Sequence, residues 1–345
     1  MTSQPSQPSQ PTVVSPEDIT KISGLGHSFT VSKLLLSAVE VGVFTALAAS
    51  AEGSAETEEL RAATGLHARS ATDFFDALVA LGLLEKKEGR YYNSALAQAC
   101  LVRGENYRGG FLDGANYVLY PAWGRLTEAL RTGKPQAEGD FEEMLNDPRA
   151  RQAFLTMQDA LSSPLVPQVL EAVDFSEFRT LADIGGARGN LAGLVLQARP
   201  ELTAQVFDRP QNAEPCAEHA KSLGVDGRLE FAGGDFFADP LPAADVLVIG
   251  HVLADFSVDE RKQLVAKAFE AVSPGGALLV YDPMPGDEPH LPALVSSLHM
   301  LVMTPAGAGY HPGDCEQWMR VAGFTEVTRH PLLLGNTLLV ARKPA

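Results

Sequence analysis

Apolar residues recur at helical spacing from about Ile22 to Ala49, with Val31, Leu34, Leu35, Ala38, Val39, Val43, Phe44 and Leu47 on one side. That period predicts an amphipathic helix. Thr57-Glu58-Glu59-Leu60 looks like a capping box at the start of a second helix, which Gly65 stops. A third helix is expected from about Ser70 to Leu81, with Phe74, Phe75, Leu78 and Leu81 facing one way. Two short strands, Leu83–Lys86 and Arg90–Asn93, flank Glu88-Gly89. Helices followed by a β-hairpin make a winged helix. Residues 107–161 read as helical and aromatic-rich, with Phe111, Tyr117, Tyr120 and Trp123. Such a layer can join two domains and also wall a substrate pocket.

Around Asp174 the pattern changes to strands alternating with helices. Strands are expected at Thr180–Ile184, Thr203–Phe207, Arg228–Ala232, Asp245–Ile249 and Ala277–Tyr281, with helices at Asn190–Ala198, Ala213–Leu223, Asp259–Val272 and Gly313–Val321. Phe324–His330 and Asn336–Arg342 close the chain as a hairpin. The result is an α/β fold with a mostly parallel sheet ending in an antiparallel hairpin. The expected divisions are a disordered tail over 1–16, a winged-helix domain over 17–105, a helical linker and pocket wall over 106–172, and the α/β domain over 173–345.

Composition narrows the function. A net charge of −16 over 345 residues argues against nucleic acid, which is bound through lysine and arginine. Acids also outnumber bases between Glu56 and Arg90, and the third helix presents Asp73 and Asp76. Cys100, Cys216 and Cys315 lie far apart with no metal-ligand spacing, which predicts reduced thiols, no metal site and a cytoplasmic location. No apolar run is long enough to predict a membrane span. Met1 to Pro16 repeats Ser-Gln-Pro without a basic start, so it reads as a disordered tail rather than a signal peptide.

The chemistry concentrates in Leu181-Ala182-Asp183-Ile184-Gly185-Gly186-Ala187-Arg188-Gly189-Asn190 and, twenty-odd residues on, Val206-Phe207-Asp208. A strand ends in an acid, turns on two glycines and opens a helix, and the next strand ends in another acid. Parallel sheets build nucleotide crevices at such strand ends. Asp208 is placed to accept bonds from both ribose hydroxyls. Ala187 and Asn190 stand where a dinucleotide fingerprint has glycine. The acid Asp183 would repel a pyrophosphate but suits a ligand carrying an ammonium and a sulfonium.

This segment resembles motif I of class I S-adenosylmethionine-dependent methyltransferases. Gly233-Gly234-Asp235-Phe236-Phe237 resembles the family's Gly-Asp-aromatic segment, where the acid meets the adenine amino group and the aromatic packs on the ring. Asp245 to Phe256 resembles motif IV, and Ser273-Pro274-Gly275-Gly276 followed by Ala277–Asp282 resembles the Pro-Gly-Gly turn and fifth strand. With the winged helix in front, the chain from about residue 20 resembles the caffeate and hydroxyindole O-methyltransferase family, including its bacterial branch that tailors secondary metabolites. The resemblance implies a Rossmann-like methyltransferase domain, a homodimer formed through the amino-terminal domain, a small-molecule acceptor, and S-adenosylmethionine held by Asp183, Gly185, Gly186, Asp208, Gly234, Asp235, Phe236 and Gly250.

One departure matters. Relatives typically read Leu-His-Asp-Trp where this chain reads Leu253-Ala254-Asp255-Phe256. The missing histidine is the usual general base, and the two acids that orient it align with Asp282 and Gly309. A positioned base is worth roughly 10²–10⁴ in rate, whereas alignment of the reactants contributes on the order of 7–11 kcal/mol. Methyl transfer can therefore survive the loss. Candidate replacements are Asp255 and His299, supported by Asp282, with Tyr310 and His311 further off. His251 suits packing or capping better, and Met300 and Met303 suit pocket wall or core. The leading expectation is methyl transfer to a small, apolar, aromatic natural product. The alternatives are a cofactor-dependent ring closure, hydroxylation or decarboxylation, and a metabolite-sensing DNA-binding protein.

Overall fold

The computed structural model describes residues 14–104, 107–139 and 141–345. Most of the expected tail lies outside them. Contacts divide the chain between Tyr107 and Arg108 into two compact units.

The first unit begins with the helix Pro16–Glu40, opened by a Ser15–Asp18 capping box with Pro16 in its first turn. The single helix expected to Ala49 is two. Gly42 turns the backbone at φ +74°, and Val43–Ala49 follows in a new direction. Glycine alone reaches that conformation without strain, so the break was visible in the sequence and the periodicity hid it. Helices Thr57–Thr64 and Ala71–Ala80 come next.

The wing has three strands: β1 (Ser54–Glu56), β2 (Leu84–Lys87) and β3 (Arg90–Asn93), in the antiparallel order β1-β3-β2. β1 is too short to show an alternating pattern, which is why only the hairpin was legible. Tyr91 is buried against Phe75 and donates to Asp76 Oδ1 at 2.7 Å. Lys86 and Arg90 pair with Asp76 and with Glu56 and Glu59, and Lys87 with Glu85. On Pro16–Glu40, Ile19, Ile22, Leu25 and Phe29 form an apolar stripe exposed to at least 60% within the single chain.

The second unit starts with helices between Gly110 and Ala172. Gly110 and Gly114 let the first of them press onto Pro148–Ser162: a Cβ at these positions would lie 2.6 Å from Thr156 Cγ2 and 2.8 Å from Met157 Sδ. The sheet comprises β4 (Thr180–Ile184), β5 (Thr203–Asp208), β6 (Leu229–Gly233), β7 (Ala244–Gly250), β8 (Val272–Asp282), β9 (Thr325–Pro331) and β10 (Thr337–Arg342), in the order β6-β5-β4-β7-β8-β10-β9. β4 to β8 are parallel and β10 runs antiparallel to both β8 and β9. This is the class I methyltransferase architecture, as expected.

Alternate residues of the central strands enter opposite cores. Leu181, Val206, Val246, Val248 and Leu279 face one helical layer, while Ala182, Ile184, Leu247, Ile249 and Val280 face the other. The Pro-Gly-Gly segment is an irregularity within β8 rather than a separate turn: Ala244 pairs with Val272, and Val246 with Ala277. β5 and β7 leave β4 on opposite sides, so the carboxyl end of β4 is the switch point where such sheets bind ligands.

The helix Val258–Ala271 holds the β7 loop in place and is itself opened by a Ser257–Glu260 capping box. Ser257→Ala should lower the unfolding free energy by about 1 kcal/mol, and Ser257→Asp should recover most of it. Urea denaturation followed by circular dichroism gives both values.

Candidate active site

Gly185 sits at φ +70°, and a Cβ there would lie 2.6 Å from Val252 Cγ2. One at Gly186 would lie 2.5 Å from Asp183 Cγ. The loop therefore folds directly over the Asp183 carboxyl. Its next residues are stitched to β5: Ala187 N–H donates to Asp208 Oδ2 at 2.7 Å and Gly185 N–H to the Phe207 carbonyl at 2.8 Å. Asp208 Oδ1 accepts from Arg209 N–H at 2.6 Å and from Asn212 Nδ2 at 2.9 Å.

Burial, and then the neighbouring Asp208, push Asp183 up to about 7. Burial raises Asp208 as well, against the pull of its backbone donors. No basic side chain forms an ion pair with Asp183 among the described residues. Two buried acids beside a cradle without side chains fit a ligand that carries positive charge and hydroxyl groups.

β6 delivers the third part. Gly234 N–H donates to the Asp208 carbonyl at 2.9 Å, and a Cβ at Gly234 would strike the Phe207 ring. Asp235 accepts from Phe237 N–H at 2.8 Å and from Arg209 Nη1 at 3.1 Å, and the first of these bonds leads in holding its carboxyl low. Phe236 packs edge-on against Phe237 and Phe256 and reaches toward Gly185. Asp183, Gly185, Gly186, Asp208, Gly234, Asp235 and Phe236 thus meet at the ends of three adjacent strands. Gly250, at the end of β7, has a different surrounding: the space its side chain would take is filled by the Tyr281 ring, 2.0 Å from the Cβ position.

Arg188 pairs with Asp159 on Pro148–Ser162, its Nε at 2.8 Å. Asn190 donates to Ser162 Oγ at 2.8 Å and Ser163 Oγ at 2.9 Å, and meets His219 Nε2 at 3.1 Å through its Oδ1. The glycine loop is thereby anchored to the helical layer. Sequence reasoning missed Asp159, Asn190, Asn212 and His219. Except for Asn212, their partners lie about 30 positions away, and no local pattern announces them.

The second cluster surrounds the turn Leu253–Asp255 after β7. Arg261 is buried and binds the carbonyls of Leu253 at 2.7 Å and Ala308 at 2.6 Å while stacking on Tyr310. Ala308 N–H returns a bond to the Ala254 carbonyl at 2.9 Å. Asp282, at the end of β8, accepts from Tyr310 Oη at 2.5 Å and from the Ala254 backbone. Burial pushes Asp282 up to about 7, and burial with the charge of Asp282 does the same to Asp255.

Gly309 offers no room for an acid, since its Cβ would lie 2.8 Å from Ser297 Cβ and 3.0 Å from Pro285. His251, at φ +54°, is bound to Asn336 Oδ1 at 2.8 Å and packed on Tyr281, a packing role. His311 caps Pro312–Ala322 through Gly313 N–H. His299, on the helix Leu291–Met303, accepts at Nδ1 from Trp123 Nε1 at 3.2 Å, and burial pushes it down to about 4.

The buried acids make stability depend on pH in the unusual direction. The folded chain holds protons that the unfolded chain releases near pH 4, so stability falls as pH rises from about 4 through about 7 and then levels off. Asp282→Asn keeps an acceptor for Tyr310 and removes one titrating group. It should gain on the wild type by on the order of 2–4 kcal/mol between pH 4 and pH 8. Denaturant unfolding at several pH values measures this, and parallel curves for the two proteins would contradict it.

Residues 123–325 match the family model of the O-methyltransferase domain, and residues 24–103 match that of the O-methyltransferase dimerisation domain. The chain is 42% identical over 335 residues to a tetracenomycin polyketide synthesis 8-O-methyl transferase of Streptomyces glaucescens, covering 95% of this chain and 97% of that protein. It is 38% identical over 325 residues to an N,N-dimethyltransferase of Streptomyces rimosus, covering 91% and 93%. Human N-acetylserotonin methyltransferase, solved in complex with S-adenosylmethionine, superposes with a TM-score of 0.86 at 27% identity, covering 97% of this chain and 100% of that one. The chain belongs to the O-methyltransferase family: it is a methyltransferase that uses S-adenosylmethionine and carries the family's dimerisation domain.

Proposed function

We propose that this enzyme methylates a phenolic oxygen of a small aromatic polyketide, with Asp255 as the group that receives the phenol proton. The observation that carries the reading is Asp255, held near neutrality beside Ala254, the position where the resemblance implies a histidine. A base works best when its pKa lies near the working pH, where it is partly ionised yet still basic. When bound, S-adenosylmethionine supplies an electrophilic methyl group on a positively charged sulfur.

Asp183, with the backbone of Gly185 and Gly186, would hold the cationic amino-acid end, Asp208 the ribose, and Asp235 with Phe236 the adenine. Asp255 takes the proton, leaving the O–H electron pair on the phenol oxygen. Burial, with the charge of Asp282 behind it, keeps Asp255 basic. The relatives' named activities are methyl transfers to oxygen or nitrogen, which favours this reading over ring closure, hydroxylation or decarboxylation.

The protein acts as a homodimer in the cytoplasm in this reading, which suits its free cysteines. No single helix among the described residues is long and apolar enough to cross a membrane. The wing's Lys86, Lys87 and Arg90 are each met by a carboxylate, which leaves them poorly placed for phosphate. The exposed stripe Ile19, Ile22, Leu25 and Phe29 is of the kind that a second copy covers.

Incubation with methyl-labelled S-adenosylmethionine and a panel of hydroxylated anthraquinones should give labelled phenol ethers. The rate should rise with pH through about 7. Asp255→Asn should cost roughly 10²–10³ in kcat and abolish that limb, while Asp208→Ala weakens S-adenosylhomocysteine binding. Unlabelled product beside intact cofactor would overturn the reading. Leu25→Glu with Phe29→Glu should convert the dimer to a monomer in sedimentation, and an unchanged dimer would remove the stripe from the interface.

A further inference from the structure

Trp123 ends the short helix Tyr120–Trp123 of the aromatic layer, and His299 lies on Leu291–Met303, which packs against it. The indole Nε1–H stands 3.2 Å from His299 Nδ1, with ring centroids 6.2 Å apart. An indole N–H donates and cannot accept. Nδ1 must therefore present its lone pair, and the proton of the neutral ring resides on Nε2. Protonating Nδ1 would set two N–H groups against each other, so Trp123 opposes the imidazolium in addition to burial, which holds His299 near 4. The ring is neutral and confined to one tautomer at physiological pH.

Among the described residues nothing bonds Nε2, and it is not one of the fully buried atoms lacking a partner, so part of its surface stays accessible. The same helix packs against the turn Leu253–Asp255, and Met300 shares a core cluster with Ala254. His299 thus borders the place where an acceptor must stand if the methyl-transfer reading holds, and the inference rests on that reading.

We propose that His299 is a tautomer-locked hydrogen-bond donor rather than a base, and that its Nε2–H selects acceptors with a carbonyl oxygen beside the methylated phenol. In such keto-phenols the phenolic O–H is bonded internally to the carbonyl. A donor that engages the carbonyl competes with this internal bond and loosens the phenol proton for Asp255. A neutral donor suits the task, because a buried imidazolium would carry a large desolvation cost. The sequence placed His299 among the bases because spacing cannot reveal that its basic nitrogen is already taken.

The first test is nitrogen NMR of protein labelled in its histidine rings, with His299 assigned by loss of its signals in His299→Gln. His299 should show a protonated Nε2 and no titration above pH about 5, and Trp123→Phe should raise its midpoint and let the other tautomer appear, while burial keeps it below the free value. The second is fluorescence binding of 1-hydroxyanthraquinone and 1-naphthol to protein loaded with S-adenosylhomocysteine. His299→Phe should weaken the keto-phenol about tenfold and the naphthol less than about twofold, with His299→Gln restoring most of the difference. A wild-type ring protonated on Nδ1, or equal losses for both probes, would overturn the proposal. Failure of methyl transfer itself would appear separately, as probes that bind but take up no label.

Discussion

The cofactor half of this molecule depends on one constraint: a strand-end carboxylate, Asp208, is held against a loop that has surrendered its side chains. Ala187 and Arg209 supply backbone donors, Asn212 a side-chain donor, and all three bonds form only if the loop lies close to β5. Gly185 and Gly186 permit that approach, because a methyl group at either position would collide with Val252 or Asp183. The arrangement leaves buried negative charge at the sheet's switch point. Buried charge without a counterion is costly, so the place suits a ligand that brings positive charge.

The acceptor half follows a related logic with different parts. Arg261 is spent on carbonyls rather than on a carboxylate. It fixes the turn Leu253–Asp255 without forming an ion pair to either acid, so burial holds Asp282 near neutrality, and burial with the charge of Asp282 holds Asp255 there. Ala254 and Gly309 stand where the resemblance implies a histidine and the second acid that orients it. The close approach of Ser297 and Pro285 to Gly309 leaves that position little room for a side chain.

Much of this was legible in the chain. Short apolar runs, strand-end acids and turn glycines placed β4, β5 and the helix between them almost to the residue, because a strand buried on both faces and an apolar helix after Gly189 admit few other readings. The same rules stumbled where an element was too short, as in β1, or where a continuing apolar period masked the break at Gly42. Site residues that sit in motifs could be named in advance. Pairings between distant positions could not: Asp159 reaches Arg188, and Trp123 reaches His299 across 176 positions.

The architecture, the strand-end acids and the glycine cradle could be read from the chain alone, since each is a local matter of period, backbone freedom or residue identity. Only the tertiary structure decided the protonation of what lies in the site. Whether Asp255 is basic, whether His299 donates or accepts, and whether Arg188 faces ligand or protein depend on burial and on which groups arrive from other elements. Those are set by packing across long stretches of chain, and a residue's own neighbours in sequence do not encode them.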